Sequence, residues 1–321
     1  MSDRPSPLSD ASAVDSTDTM PFVSVIIPVF NDAKRLQRCL EALAQQTYPG
    51  TQVEIIVVDN GSDAEHAIAG VVSDFKNVTA AYERFPSSFA ARNRGLALAR
   101  GSVIAFTDAD CLPAADWLEQ GVKVLLQTPN CGLVAGRVEV FFKAPDHSTP
   151  VELYERITAF PQQALIEQQH YAATANVFTF KRVVDRVGLF NPLLKSSGDI
   201  EWGQRLASFG YTQVYADAAW VAHPARDSFD QLFKRTIRLA GGLYDLYQSK
   251  GGSLLQQNRV YFKTLLENLV PPVNFVLMVA RHAELQSLWQ KVQVALVMVF
   301  VRYVSAGELI RLKLGGVSTR D

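Results

Sequence analysis

Several things are scarce in this chain, and each shortage removes a class of protein. There are three cysteines in 321 residues, Cys39, Cys111 and Cys131, an odd number without metal-ligand spacing. That excludes a disulfide framework and a zinc ribbon, and fits free thiols used for packing in a reducing compartment. There is no excess of basic charge: 31 Lys and Arg stand against 32 Asp and Glu, and no basic stripe alternates with aromatics. Nucleic acid is therefore not an expected partner. No apolar run approaches the roughly 20 residues of a spanning helix. Leu269 to Ala280 and Val292 to Val301 are the longest in the C-terminal part, at 12 and 10 residues. The first 20 residues, rich in Ser, Asp, Ala and Pro, lack the basic start and apolar segment of a signal peptide. Residues 1–20 are expected to form a disordered tail.

What remains is an ordinary globular composition, 48% apolar and 20% charged. It suits one catalytic domain, residues 21–250, with an appendage over residues 251–321. From Lys250 onward the net charge is +5, and the rest of the chain carries −6. Two short apolar runs beside basic residues in a positive tail fit a helical interfacial anchor on anionic headgroups. Packing on the catalytic domain, or a homodimer made through the extension, has the same composition. The expected location is the cytoplasm, at or near the cytoplasmic face of a membrane.

The order of patterns predicts an α/β domain. Phe22 to Val29 is a nearly continuous β-branched run, as in a strand covered on both faces. Leu36, Leu40 and Leu43 recur at helical spacing, and Val53 to Val58 is a second buried strand that stops at Asp59-Asn60-Gly61-Ser62-Asp63. A helix near Glu65 to Phe75, a strand Val78 to Tyr82, a helix Phe89 to Ala99 and a strand Val103 to Phe106 follow. The second half predicts a mixed sheet, with helices over Ala115 to Leu126 and Val151 to Gln169 and strands over Gly132 to Phe142 and Asn176 to Phe180. Phe229, Leu232, Phe233, Ile237, Ala240, Tyr244 and Tyr247 form a helical apolar stripe. Lys234, Arg235 and Arg238 on that helix are expected to be solvated, with acceptor or lipid contact as the alternative.

Asp108-Ala109-Asp110 stands where the strand Val103 to Phe106 emerges. Two carboxylates one residue apart suit a hard divalent cation carrying a diphosphate. A chain with this much Asp holds about one such pair by chance, so its neighbours must decide. In open α/β sheets ligands bind beyond the carboxyl ends of the strands. Pro28 to Asn31, Asp59 to Gly61 and Asp108 to Asp110 all occupy such ends, so three polar signals should meet in one crevice.

The order VSVIIPVFN, VVDNGSD, AARNRGLALARG, FTDADC, TANVFTFKR and SGDIEWGQR resembles the family 2 glycosyltransferases of the GT-A fold. The resemblance covers Phe22 to about Arg226. It implies a Rossmann-like doubly wound mixed sheet, here with a helical C-terminal extension, and an inverting, metal-dependent enzyme of the hexosyltransferase type. Such an enzyme moves one sugar from a nucleoside-diphosphate sugar to a hydroxyl of a saccharide or lipid-linked acceptor, a step of cell-surface polysaccharide or glycolipid synthesis. Pro28, Val29 and Phe30 would border the nucleotide, and Asp59 would accept from the base ring, with a plain turn as the alternative. Arg92 would contact the diphosphate or fix Asp108, next to Asn93 on the same helix. Asp110 would ligate Mg²⁺ or Mn²⁺, while Asp108 and Ala109 would lie along the ribose and the metal's hydration shell.

Asp199 matches the general base, with capping of its helix as the alternative. Glu201, Arg205, Trp202 and Asn176 would support it or shape the acceptor site, Trp202 by stacking on a sugar. His223 would be a late metal ligand or phosphate contact, or else a packed histidine. The chain departs from common members at Asn60, where many have Asp, and at Gly198, where many have Glu. Gln-X-X-Arg-Trp and long membrane spans, which mark the polymerising members, are not found. Two rivals remain. A degenerate sugar-nucleotide-binding scaffold would keep the fold without turnover, and a sugar nucleotidyltransferase would want a Gly-rich basic loop where Val29-Phe30-Asn31-Asp32 stands.

Overall fold

The computed structural model describes residues 20–144, 147–249, 251 and 253–319. The expected tail, up to residue 19, and part of the loop Lys143 to Pro150 lie outside these. The first half alternates as its pattern dictates: β1 (Val23–Val29), α1 (Ala33–Ala44), β2 (Val53–Asp59), α2 (Ile68–Ser73), β3 (Val78–Tyr82), α3 (Ser88–Leu98) and β4 (Val103–Thr107). These four strands are parallel. Val29 lies opposite Asp59 and Ile26 opposite Phe106, so the carboxyl ends of β1, β2 and β4 share one edge. Every residue of β4 is buried, as a strand covered on both faces requires. Helix α3 lies close on β1 because Gly95 leaves room; a Cβ there would sit 2.5 Å from Cγ2 of Ile26.

The second half adds β5 (Leu112–Pro113), α4 (Trp117–Gln127), β6 (Cys131–Phe141), α5 (Pro150–Thr158), α6 (Gln162–Gln169), β7 (Asn176–Phe180), α7 (Lys181–Val187), α8 (Gly198–Ser208) and β8 (Thr212–Pro224). The single sheet runs β3, β2, β1, β4, β7, β6, β8, β5. It is mixed, as expected: β7 is antiparallel to both β4 and β6, whereas β6 and β8 are parallel. The helix expected over Val151 to Gln169 is two helices. Pro161 disfavours helical backbone in the residue before it, and Phe160 turns to φ 51°.

Four helices complete the chain: α9 (Phe229–Ser249), α10 (Leu254–Leu269), α11 (Val273–Arg281) and α12 (Leu288–Lys313). Val151 and Tyr154 of α5, Leu232 of α9, Val279 of α11, and Val294 and Val297 of α12 form a second buried cluster, apart from the sheet's core. Helices α11 and α12 therefore pack on α5 and α9. The run Val292 to Val301 is not the short segment it looked. Ser287 and Gln290 form a capping box, and α12 continues for 26 residues through polar positions that the apolar count had excluded. By length and composition α12 could cross a membrane, with mean hydropathy 1.5, yet one face is buried against α5 and α9.

Candidate active site

The loops after β1 and β2 bind each other. Asn31, at φ 53°, takes a hydrogen bond from the Asp63 amide (2.8 Å), and its side-chain amide donates to the Asp63 carboxylate (2.9 Å). The Asn31 amide donates to the Ser62 hydroxyl, and the Ser62 amide donates to Asp59 Oδ1, each at 2.9 Å. Asp63 is thus tied to Asn31 and makes no side-chain cap for the turn that follows. Asn60 is buried, and its side chain donates to the carbonyls of Glu83 (3.0 Å) and Phe85 (2.7 Å). A carboxylate here would face two acceptors. Asn, with an amide to donate, suits this position better than Asp.

A cleft of about 620 Å³ opens at this edge, lined by Pro28, Val29, Phe30, Asn60, Arg92, Asp108, Ala109, Asp110, Asp199 and His223 among others. Within the pair of carboxylates the two partners differ. Asp108 receives Nη2 of the buried Arg92 at 2.5 Å, which holds its carboxylate in place. Asp110 Oδ2 lies 3.4 Å from Nε2 of the buried His223. His223 Nδ1 is 2.8 Å from the Pro224 carbonyl, which can only accept, so a proton on Nδ1 would leave Nε2 available as a metal ligand. A carboxylate oxygen and a bare imidazole nitrogen at this spacing fit two neighbouring ligands of Mg²⁺ or Mn²⁺. Cys39 and Cys111, buried beneath the pair, have thiols pushed upward by burial and by both aspartates.

Asp199 enters from α8. The turn before it is tight: Ser197 sits at φ 63°, and a Cβ on Gly198 would meet the Phe89 ring at 2.7 Å. Phe89 therefore leaves no space for a side chain such as Glu at 198. Asp199 lies inside the first turn, and its Oδ1 accepts the Ile200 amide at 2.9 Å. Burial pushes its carboxyl up from the ordinary range, an effect opposed by that amide and by Arg92. A raised carboxylate in a cleft is suited to taking a proton. Tyr171 lines the cleft as well, and burial with the nearby Asp199 carries its phenol up to about 12.

Six of the expected residues do not line the cleft: Asp59, Asn93, Asn176, Glu201, Trp202 and Arg205. Asn93 exchanges two hydrogen bonds with the backbone of Phe190. Asn176 is fully buried, accepting from Trp117 Nε1 and donating to the carbonyls of Arg137 and Ala219. Trp202 is 1% exposed and packs on Phe190, so it has no face to offer a sugar. Glu201 pairs with Arg205, which donates to the carbonyls of Val187 and Leu189 and so anchors the chain ahead of Asp199.

Sequence reasoning missed Arg226, Arg235 and Arg238, all of which line the cleft. Arg235 and Arg238 were expected to be solvated. Burial instead lowers both from the usual arginine range, because both turn into the cleft, where Arg235 faces Glu155 of α5. Lys234 alone keeps the expected exposure, paired with Asp230. The spacing of Arg235 and Arg238, three apart beside the apolar stripe, was the available signal.

A family model described as glycosyl transferase family 2 matches residues 24–188. Glycosyltransferase AglE of Haloferax volcanii is 40% identical over 229 residues, 70% of this chain and 74% of that protein. The pre-mycofactocin glycosyltransferase of Mycobacterium tuberculosis is 28% identical over 64% of the chain, which spans 43% of that relative. Among solved structures, a mannosyltransferase of Pyrobaculum calidifontis, in complex with GDP-Man and Mn²⁺, superposes with a TM-score of 0.63 over 92% of this chain and 87% of its own, at 19% identity. That likeness places the sheet in the GT-A fold. With a family model over half its length and a 40% identical relative over 70% of it, the chain belongs to glycosyl transferase family 2.

Proposed function

We propose that the protein transfers a single sugar from a nucleoside-diphosphate sugar to a hydroxyl of a saccharide or lipid-linked acceptor, with inversion. One observation carries this. A single cleft joins Asp110 and His223, arranged as ligands, to Asp199, a half-buried carboxylate on a separate element. Pro28, Val29, Phe30 and Ala109 would border the donor, with Arg92 holding Asp108 toward the ribose. Asp110 and His223 would hold Mg²⁺ or Mn²⁺, which when bound offsets the charge of the departing nucleoside diphosphate. Asp199 takes the acceptor's hydroxyl proton as that oxygen bonds to the anomeric carbon. The bond from that carbon to the diphosphate oxygen breaks, and its electron pair leaves with the nucleotide. One displacement inverts the centre.

The GT-A unit is assigned to residues 21–250 and the helical extension to residues 251–321. The outer faces of α10 to α12 expose Leu255, Phe262, Leu266, Trp289 and Leu296, each more than half exposed. They support peripheral contact with an anionic membrane from the cytoplasmic side, and a place in the synthesis of surface polysaccharide or glycolipid. The test is Asp199→Asn. Transfer should fall by about 10²-fold or more, while Mn²⁺-dependent binding of a nucleoside diphosphate, read by thermal shift, persists. Near-normal transfer in this variant would remove Asp199 from the chemistry. Loss of nucleotide binding from Asp110→Ala, in the presence of Mn²⁺, is expected alongside.

A further inference from the structure

Next to the cleft lies a second cavity, of about 200 Å³, enclosed by α9, α10 and α12. Its walls are mainly apolar, with Leu239, Leu243, Tyr244, Val260, Tyr261 and Leu309 prominent. Arg235 and Leu239 line both cavities, so the two adjoin. At this junction two arginines share one carboxylate, and a third lies beside them. Glu155, 1% exposed, binds Arg226 at 2.9 Å and faces Arg235 at 3.7 Å. Arg238 makes no ion pair within 4 Å among the described residues. Burial lowers it, Arg226 and Arg235 lower it further, and Asp108 and Asp199 draw it back. Poorly solvated cations in excess of their counter-charges favour an anion at that spot.

From the apolar cavity, the arginines where it meets the cleft and the base beyond them, we infer that the acceptor is a lipid phosphate. Its apolar chain lies between α9, α10 and α12, its phosphate sits on Arg226, Arg235 and Arg238, and its hydroxyl-bearing end faces Asp199. The phosphate offers several acceptor oxygens to forked guanidinium donors, a match that a neutral sugar does not offer. The outer side of α10, which walls this cavity, exposes Phe262, Leu266 and Leu269. A lipid would thus pass from an apolar surface into an apolar cavity. This deepens the transfer function proposed above and rests on it.

The test is calorimetric binding to the full chain of dodecyl phosphate below its micellar concentration, of dodecanol and of inorganic phosphate. Dodecyl phosphate should bind at least roughly tenfold more tightly than either fragment, since only it offers both halves. Arg238→Gln should weaken it by roughly tenfold or more, the worth of a charged hydrogen bond. Thr264→Phe, which fills the cavity from α10, should weaken it as well, with Mn²⁺-dependent nucleoside diphosphate binding retained in both variants. Dodecanol binding as tightly as dodecyl phosphate overturns the phosphate site. Unchanged dodecyl phosphate binding in Thr264→Phe overturns the channel. Loss of nucleoside diphosphate binding in Arg238→Gln assigns the arginines to the donor and overturns the proposal. A wild-type chain that binds no nucleoside diphosphate with Mn²⁺ defeats the transfer function itself, separately from the lipid measurements, and removes this acceptor site with it.

Discussion

In β1 six of seven residues are buried, and the loop that follows is tied to its neighbour through Asn31, Asp59, Ser62 and Asp63. In α10 only Tyr261 is buried, and Leu254, Leu255, Phe262, Leu266 and Leu269 face outward. One end of the molecule has satisfied its apolar and polar groups within itself. The other leaves a large apolar surface exposed. The difference maps onto the proposed reaction: a donor bed set in place by the strand ends, and an acceptor side made of helices whose outer faces await a partner. Preorganisation serves the side where charge develops.

Four substitutions probe this contrast. Phe190→Ala should cost the most, about 3–5 kcal/mol in chemical denaturation, because Phe190 joins Phe89, Phe106 and Trp202 beneath the cleft. Asn60→Asp should cost about 1–3 kcal/mol, by turning a carboxylate onto the carbonyls of Glu83 and Phe85, and a neutral effect would mean that this bed is looser than its hydrogen bonds imply.

Asp199→Asn should have the opposite sign. The folded-state carboxyl is raised, so its contribution to stability is full below the ordinary carboxylate range and is lost as pH rises through the raised value. At neutral pH the Asn variant should melt above the wild type, and the advantage should vanish in acid. The same shift moves the acid limb of transfer to higher pH than an ordinary carboxylate would give, measurable in a pH profile of kcat/KM. Leu266→Ser, on the exposed face of α10, should change stability by no more than about 0.5 kcal/mol, yet weaken sedimentation with anionic liposomes. A large stability loss there would mean that α10 is covered in solution, and the contrast between the two regions would fail.

Much of the donor half was legible. Continuous β-branched runs, Pro28 at a strand end and the Asp-rich stops of β2 and β4 follow from local rules, and the carboxyl edge of a parallel sheet then gathers them. Asp110 and His223, singled out by residue type and position, do lie 3.4 Å apart at one edge of the cleft. The site was misjudged where burial decides. Trp202 suited sugar stacking by type, but packing on Phe190 took its faces. Arg235 and Arg238 suited a solvated helix face by pattern, but both turn into the cleft. The two departures from the family pattern also needed neighbours distant in the chain: Glu83 and Phe85 for Asn60, and Phe89 for Gly198.

The amino-acid order alone determined the alternating α/β half, the meeting of three polar strand ends and the family, because these depend on local periodicity and on motifs in series. Only the tertiary structure decided that Arg92 holds Asp108 and leaves Asp110 to His223. It also decided that the short apolar run belongs to a 26-residue helix docked on α5 and α9, and that three arginines face inward beside an apolar cavity. Those outcomes turn on which faces are covered by elements far away in the chain, and coverage sets both the solvation of a charge and the room beside it.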